Sequence, residues 1–395
     1  MRIADQIANW LAKQGVLQAF SVTGGGSMFL NHAIGDHTDI RCSFMHHEQA
    51  CAMAAEGYAR ITNKPAIVML TTGPGPMNAM NGVFGAFTDS IPMIVISGQV
   101  KRETCASFQD VAGLRQLGDQ EGPTIAMAKH ICKFAQLIRT PEDLVTALPE
   151  AYRQAISGRP GPVWLDIPLD IQSSTDAIDI PDVAAEAPHN SELSAITRTV
   201  LEKLASAKRP IILGGTGVRL ANAIDDFIKL AESAEIPVTT AWTHDLIPSE
   251  HPLFAGRPGT IGTRAGNFCV QNADLVLVLG SRLNIRQTSY NWDSFAKNAF
   301  IIQVDIDPLE LQKPTFRPNL AIVADVKLFL VTLNSELGKT ELPKYNTWVD
   351  WCSRINKQYS VRHEHSQKVD RKLNPYLVVD HIFQQSRPND IFVCG

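Results

Sequence analysis

A chain of 395 residues exceeds what one hydrophobic core normally supports, so two or more domains are expected. Hydrophobic residues make up 45% and charged residues 19%, a globular balance that excludes a fibrous or disordered chain. The net charge of −4, with no lysine- or arginine-rich run, argues against nucleic acid or an anionic membrane as partner and leaves small molecules.

The first residues carry apolar positions at helical spacing, Ile3, Ile7, Trp10 and Leu11, with an early acid at Asp5. That is a first helix, not a signal peptide. No run approaches the roughly 20 apolar residues of a membrane span. Seven cysteines are scattered and never spaced as Cys-x-x-Cys, which argues against a disulfide framework or a thiolate zinc site. A reducing, cytoplasmic location is expected.

The first helix, over about 3–14, ends at Gly15, and residues 16–22 form a short apolar strand entering Thr23-Gly24-Gly25-Gly26-Ser27 and a further helix. Strand, glycine turn and helix in that order is the unit of a parallel α/β sheet. Alone, the turn is either a ligand cradle at the sheet's carboxyl edge or a plain tight turn, since it lacks both the Gly-x-Gly-x-x-Gly spacing and the P-loop lysine. Next, Phe44 to Ala50 is an extended apolar entry into the small-residue helix that contains Cys51 to Arg60. Glu48 sits at that helix's start, where a carboxylate is ordinarily a partner for the helix dipole.

Residues 65–70 and 91–99 are apolar runs of buried-strand length. The first opens into Thr71-Thr72-Gly73-Pro74-Gly75-Pro76-Met77-Asn78 and a helical segment to Ala86; the second ends in Ser97-Gly98-Gln99. Three strands thus end in glycine-rich or polar loops on one edge of a parallel sheet, and a shared ligand site is expected there. Residues 101–129, with Phe108-Gln109-Asp110, are irregular, and a loop this long is a surface connection or a functional lid or interface segment. A helix around 140–157 and a buried strand within 158–168 close a first domain, 1–175.

Residues 172–191 are Ser/Asp/Ala/Pro-rich and read as a linker. A second α/β domain, 190–340, follows: helix 191–206, strand 210–215, helix 219–234, and strands 236–241, 273–280, 299–305 and 320–326. Its turns Gly214-Gly215-Thr216-Gly217 and Gly256-Arg257-Pro258-Gly259-Thr260 either hold a nucleotide's phosphates or simply turn the chain. Residues 340–372, with Trp348 and Trp351, resemble a helical linker. Residues 372–395 offer one helix (375–386) and one strand (390–394), too little for a domain, and read as the start of a third unit completed elsewhere. His46, His130 and the His363-Glu364-His365 triplet are scattered histidines without a ligand set, so no metal site is expected in this chain.

Several segments recur in a specific order and spacing: His47-Glu48-Gln49 with Glu56-Gly57-Tyr58-Ala59-Arg60; Gly73-Pro74-Gly75 with Asn78; Asp89-Ser90-Ile91-Pro92 with Gly98-Gln99; and Phe108-Gln109. Further on come Lys129-His130, Gly158-Arg159-Pro160-Gly161-Pro162 with Asp166-Ile167-Pro168, and Asn272-Ala273-Asp274 with Gly280-Ser281-Arg282. Over essentially its whole length the chain resembles the thiamine-diphosphate-dependent enzymes of the acetohydroxyacid synthase (acetolactate synthase) group. The resemblance implies an α/β fold of two consecutive parallel-sheet domains: a pyrimidine-binding domain at 1–175 and a Rossmann-like central domain at 190–340, which in some members carries FAD. Residues 372–395 would begin a diphosphate-binding domain, with the Mg²⁺ ligands beyond Gly395. Two subunits would form a homodimer, or a homotetramer, with the active site at their interface.

The implied reaction decarboxylates a 2-oxo acid, pyruvate first, and joins the remainder to a second carbonyl compound. By resemblance Glu48 is the acid beside the cofactor's pyrimidine N1′, with Gly25 and Gln109 at the reacting atoms. Gly24, Gly26, His47, Gly73, Pro74 and Asn78 would surround thiamine diphosphate, and Gly214, Gly215 and Gly217 would hold FAD. Phe108 would be an apolar wall, and Arg286 would take the second substrate's carboxylate, for which a guanidinium fork is suited. The role of Glu48 requires a raised pKa, hence burial among Phe44, Met45 and the alanines that follow it. A simple 2-oxo acid decarboxylase, a flavin-dependent oxidase and a non-catalytic binding protein are the alternatives on this scaffold. Asn284-Ile285 replaces the synthases' Asp-Asp, Leu169 replaces a lysine, and 111–121 reads differently, departures that bear on the second substrate and on flavin.

Overall fold

The computed structural model describes residues 1–184, 193–243, 245–364 and 373–392. It divides into two compact units, Met1–Ala187 and Pro188–Gly395. In the first, six strands form one sheet: β1 (Gln18–Ser21), β2 (Arg41–Phe44), β3 (Ile67–Leu70), β4 (Met93–Gln99), β5 (Phe134–Leu137) and β6 (Pro162–Pro168). Their order is β2-β1-β3-β4-β6-β5 and every pairing is parallel. β3, β4 and β6 are buried at every position, as strands covered by helices on both faces must be.

The apolar runs at 16–22, 65–70, 91–99 and 158–168 each contain a strand. β2 and β5 escape the sequence pattern because they are the sheet's two edges and carry half-exposed side chains instead of an apolar run. Part of the expected linker belongs to this unit: the Trp10 indole donates to the Pro181 carbonyl at 3.1 Å, and Ile178, Ile180 and Val183 pack on the core with Ile3, Ile7 and Leu11. Residues 185–191 of that linker lie outside the described residues.

The second unit holds β7 (Pro210–Gly214), β8 (Val238–Thr240), β9 (Leu275–Leu279), β10 (Phe300–Asp305) and β11 (Leu320–Val323), in the parallel order β11-β10-β9-β7-β8. The helix expected over 219–234 is two, Thr216–Leu220 and Ile224–Ala234, parted by Asn222 at φ 52°. A larger correction concerns 340–372. Helix Asn346–Gln358 is not a free linker: its Trp348 indole donates to the Pro210 carbonyl at 2.8 Å, Trp348 and Cys352 are buried, and Trp348 stacks on Trp351 at 5.0 Å. An amphipathic helix has the same sequence pattern whether it spans solvent or covers a sheet. Helix Pro375–Gln384 contains no buried residue, and Asp390 to Phe392 form no strand; residues 393–394 of that expected strand, and His365 of the histidine triplet, lie outside the described residues. Among the described residues no helix is long and apolar enough to cross a membrane.

Candidate active site at a strand switch point

The first sheet reverses its winding between β1 and β3, since β2 lies on one side of β1 and β4 on the far side of β3. In an open parallel sheet the loops leaving the carboxyl ends at such a point part from each other and form a ligand crevice. Here those loops are Gly24–Gly26 after β1 and Thr71–Gly75 after β3. They interlock. The Gly26 amide donates to Thr71 Oγ1 at 3.2 Å, a Cβ on Gly24 would collide with the Thr71 hydroxyl, and one on Gly26 would lie 3.0 Å from Thr72 Cβ. Gly25 differs: it is exposed, and a Cβ there would meet nothing within 4 Å. Gly73 holds φ 62°, and its Cβ would collide with the Gln120 carbonyl, so only glycine fits before the helix Pro74–Thr88. Pro74 occupies that helix's first turn, where its missing N–H costs nothing.

Glu48 opens the helix Glu48–Thr62, which packs on Pro74–Thr88 so closely that a Cβ on Gly82 would sit 2.7 Å from Ala52 Cβ. That contact brings two distant residues together: Asn78 Nδ2 donates to Glu48 Oε2 at 3.0 Å. Gly75 leaves room for the other oxygen, because a Cβ there would lie 3.4 Å from Glu48 Oε1 and 3.1 Å from Thr71 Cγ2. Among the described residues no hydrogen bond reaches Oε1. His47 caps the helix, its Nδ1 accepting from the Gln49 amide at 3.2 Å, so that nitrogen is engaged locally. The expected burial of Glu48 is not met within one chain. Glu48 is half-buried, and Phe44 is 57% exposed with its ring over Gly35, because β2 is an edge strand that leaves this side chain at the surface.

In the second sheet the switch point falls between β7 and β9, and there the glycines are needed for packing. A Cβ on Gly215 would collide with the Gly280 carbonyl, one on Gly217 would lie 2.7 Å from Gly280 Cα, and one on Gly214 would lie 2.7 Å from the Phe227 ring. The Gly217 amide donates to the Gly280 carbonyl at 2.9 Å. Close backbone approach therefore explains Gly215 and Gly217, and side-chain packing against Phe227 explains Gly214, without any ligand. The turn at 256–260 supports the Arg286 segment: the Thr260 amide donates to the Arg286 carbonyl at 2.7 Å and Gln287 Nε2 to the Pro258 carbonyl at 3.1 Å. Asn284, where the synthases carry an acid, caps the short helix Ile285–Thr288 through Oδ1. Arg286 is exposed, with its guanidinium 4.5 Å from the Trp242 ring centroid.

Two family models match. "Thiamine pyrophosphate enzyme, N-terminal TPP binding domain" covers residues 1–121 and "Thiamine pyrophosphate enzyme, central domain" covers residues 197–333. The chain belongs to the thiamine pyrophosphate enzymes. It is 38% identical over 336 residues to the acetolactate synthase isozyme 1 large subunit of Escherichia coli, covering 84% of this chain and 57% of that protein. It is 32% identical over 401 residues to an acetolactate synthase of Mycobacterium bovis, covering 99% and 62%. Acetolactate synthase 1, chloroplastic, of Oryza sativa matches at 33% over 365 residues, covering 90% and 54%. The chain spans about 60% of the length of the curated relatives it matches.

Against the family pattern, the structure gathers Glu48, Asn78, Gly73, Pro74 and the Gly24–Gly26 turn at one switch point, but not Gln109 or Phe108. Gln109 Nε2 donates to the carbonyls of Arg102, Glu103 and Cys105 at 3.2–3.4 Å, and Phe108 lies under the Arg139 guanidinium at 4.9 Å. No hydrogen bond among the described residues links either to Glu48. The residue that organises their loop, Glu121, carries no motif signal. Its carboxylate accepts from the amides of Ala106 (2.6 Å), Leu117 (2.9 Å) and Gly118 (3.2 Å). Burial pushes Glu121 upward, yet these donors hold it below the usual carboxylate range. A depressed pKa means that this stabilisation is present above the unfolded-state value and is lost as pH falls through the folded one. Glu121→Ala should leave three amides short of an acceptor, at roughly 1–3 kcal/mol, and protease cleavage within 105–121 should become faster than in the parent.

Proposed function

We propose that the complete protein is a thiamine-diphosphate-dependent carboligase that decarboxylates a 2-oxo acid, with pyruvate as the first candidate, and joins the remainder to a second carbonyl compound. The observation that carries this reading is the half-buried Glu48 carboxyl at the switch point, one oxygen fixed by Asn78 and the other unengaged. When bound, thiamine diphosphate supplies the electron sink for loss of CO₂ and for carbon–carbon bond formation. Glu48 would hold a proton at Oε1 for the pyrimidine N1′, Asn78 would keep that carboxyl in place, and Gly73, Pro74, Gly24 and Gly26 would shape the cradle. Gly25, whose missing side chain faces open space, leaves the reacting atoms uncrowded. Gln109 and Phe108, held away from Glu48 by their contacts with the Arg102–Cys105 carbonyls and with Arg139, would come to the site only by a movement of their loop, and His47 fixes the start of the Glu48 helix.

Arg286, stacked on Trp242, would take the carboxylate of the second substrate. FAD is not required to account for Gly214, Gly215 and Gly217, and no step here depends on it. Residues 1–175 and 190–340 then act as pyrimidine-binding and central domains, and 372–395 begin the diphosphate-binding domain, whose later part would carry the Mg²⁺ ligands. The half-buried Glu48, together with the exposed apolar side chains Phe44 (57%), Met77 (46%) and Phe84 (57%) of the same unit, favours a homodimer or homotetramer in which a second subunit closes the site. Of the seven cysteines, the six among the described residues form no disulfide, which fits the cytoplasmic setting of this reading.

The complete protein supplied with thiamine diphosphate, Mg²⁺ and pyruvate should release a carbon–carbon-bonded product detectable by NMR. Acetaldehyde as sole product would instead identify a decarboxylase, peroxide release a flavin oxidase, and tight ligand binding without turnover a binding protein. Arg286→Ala should raise KM for an acidic acceptor roughly 10- to 100-fold, the scale of one lost charged hydrogen bond, while loss of CO₂ from pyruvate falls far less.

A further inference from the structure

Behind the switch point lies a buried polar chain that the mechanism above does not use. Asp166, 1% exposed on β6, faces Ser97 and Gln99 of the adjacent β4. Ser97 Oγ donates to Asp166 Oδ1 at 2.6 Å and itself accepts from the Trp164 indole at 2.8 Å; Gln99 Nε2 donates to Asp166 Oδ2 at 3.0 Å and to the Gly122 carbonyl at 3.2 Å. Gln99 Oε1 accepts from the Val100 amide at 3.0 Å and from Thr72 Oγ1 at 2.9 Å. The Val100 amide is a donor and nothing else, so it fixes which end of the Gln99 amide points back at Asp166. The Thr72 side chain in turn abuts Gly26, whose carbonyl accepts from Gln172 Nε2 at 2.8 Å. A line of hydrogen bonds and one packing contact therefore runs from a buried acid to the turn at the mouth of the site.

We propose that Asp166 is a positioning residue for thiamine diphosphate, acting through Gln99 and Thr72 to hold the Gly24–Gly26 turn in its binding geometry; this rests on the cofactor reading above. Donor counting gives the direction. Both Asp166 oxygens face donors, so the carboxylate completes the chain, whereas the carboxylic acid brings a proton that Gln99 Nε2 cannot accept and that Ser97 Oγ can accept only by turning its own hydrogen away from Asp166. Burial opposes this and pushes Asp166 up to about 7, with the Ser97 and Gln99 donors holding it back. No other ionised group sets that balance. Helices Pro74–Thr88 and Thr124–Ala128 and strands β4 and β5 carry no Asp, Glu, Lys, Arg or His. On Asp143–Ile156, Glu150 pairs with Arg153, Asp143 caps the 139–140 turn and the Tyr152 hydroxyl donates to the Gln14 carbonyl. On Leu169–Ser173, Asp170 pairs with Arg102.

The test uses the complete protein. The apparent KM for thiamine diphosphate should rise ~5-fold or more as pH falls from about 8 to about 6, the lower end of a typical coupling between linked sites. Asp166→Asn, with its amide toward Ser97 and its carbonyl oxygen toward Gln99, should fold and flatten that dependence. Thr72→Val, which cuts the chain without touching Asp166, should flatten it too. A cofactor-independent readout separates this claim from the functional reading: the ¹⁵N-labelled Trp164 indole and the Gly24–Gly26 amides should shift together near pH 7 in the parent and stay fixed in Asp166→Asn. If both variants keep the parent's pH profile and lose only thermal stability, or if the glycine amides ignore the titration seen at Trp164, the positioning role is wrong. Failure to bind thiamine diphosphate at all, with the coupled NMR titration intact, would overturn the functional reading instead.

Discussion

Glu48→Gln is expected to lower the C2–H exchange rate of bound thiamine diphosphate roughly 10²- to 10⁴-fold, the range a positioned acid–base group contributes, while the protein folds as before. The substitution keeps the shape of the side chain. The glutamine carbonyl oxygen can accept from Asn78 Nδ2 as Glu48 Oε2 does at 3.0 Å, which places an NH₂ group where the unengaged oxygen stood. An amide there can donate a hydrogen bond but cannot exchange a proton with a ring nitrogen. Stability should change little, because Glu48 is half-exposed and what is lost is a carboxylate in a helix's first turn, worth about 0.3–1 kcal/mol. Proton exchange followed by NMR on the complete holoenzyme, with a thermal unfolding curve beside it, separates the two effects. Exchange at the parent rate would remove Glu48 from the proposed chemistry.

What could be read from the sequence follows from where burial is complete. The strands β3, β4 and β6, apolar at nearly every position, and β7 and β9 at the centre of the second sheet announce themselves as unbroken runs. The edges β2 and β5 do not, since half their side chains meet water. The glycine turns at 24–26 and 73–75 are visible as turns, but their reason is not. Gly24 is excluded from carrying a side chain by Thr71, and Gly73 by Gln120, residues 47 positions away in both cases. The Glu48–Asn78 pair likewise depends on two helices approaching at Ala52 and Gly82. Glu121 is the clearest omission, and Asp166 stands in a motif without a role: each is a single acid whose significance lies entirely in donors supplied from other parts of the chain. Within one chain the enclosure expected around Glu48 is incomplete for a related reason: Phe44 is its neighbour in sequence, but an edge strand sends that side chain to the surface.

Gly98→Ala should be the most damaging single methyl in the first unit. Gly98 lies in β4, and a Cβ there would collide with the Gly26 carbonyl and sit 2.7 Å from the Ser27 amide. Those are backbone atoms of the turn itself and cannot rotate aside as a flexible side chain can. The turn is also held on its other sides, by Gln172 Nε2 on the Gly26 carbonyl at 2.8 Å and by the Gly26 amide on Thr71 Oγ1 at 3.2 Å. Relief of the collision must therefore stretch β4 away from β6 or break those bonds. Overpacking of this kind costs about 1–3 kcal/mol, and a buried carbonyl left without its partner adds about 1–3 kcal/mol more. At roughly 2–4 °C per kcal/mol for a unit of this size, Tm should fall by about 4–24 °C, and affinity for thiamine diphosphate should fall with it. Gly25→Ala is the matched control, since the added methyl meets nothing within 4 Å and sits one residue away in the same turn. It should leave Tm unchanged and reduce turnover by crowding the ligand side. Equal melting temperatures for the two variants would mean that the turn is not locked against β4, and the link from Asp166 through Thr72 to that turn would lose the rigid part it needs to act on.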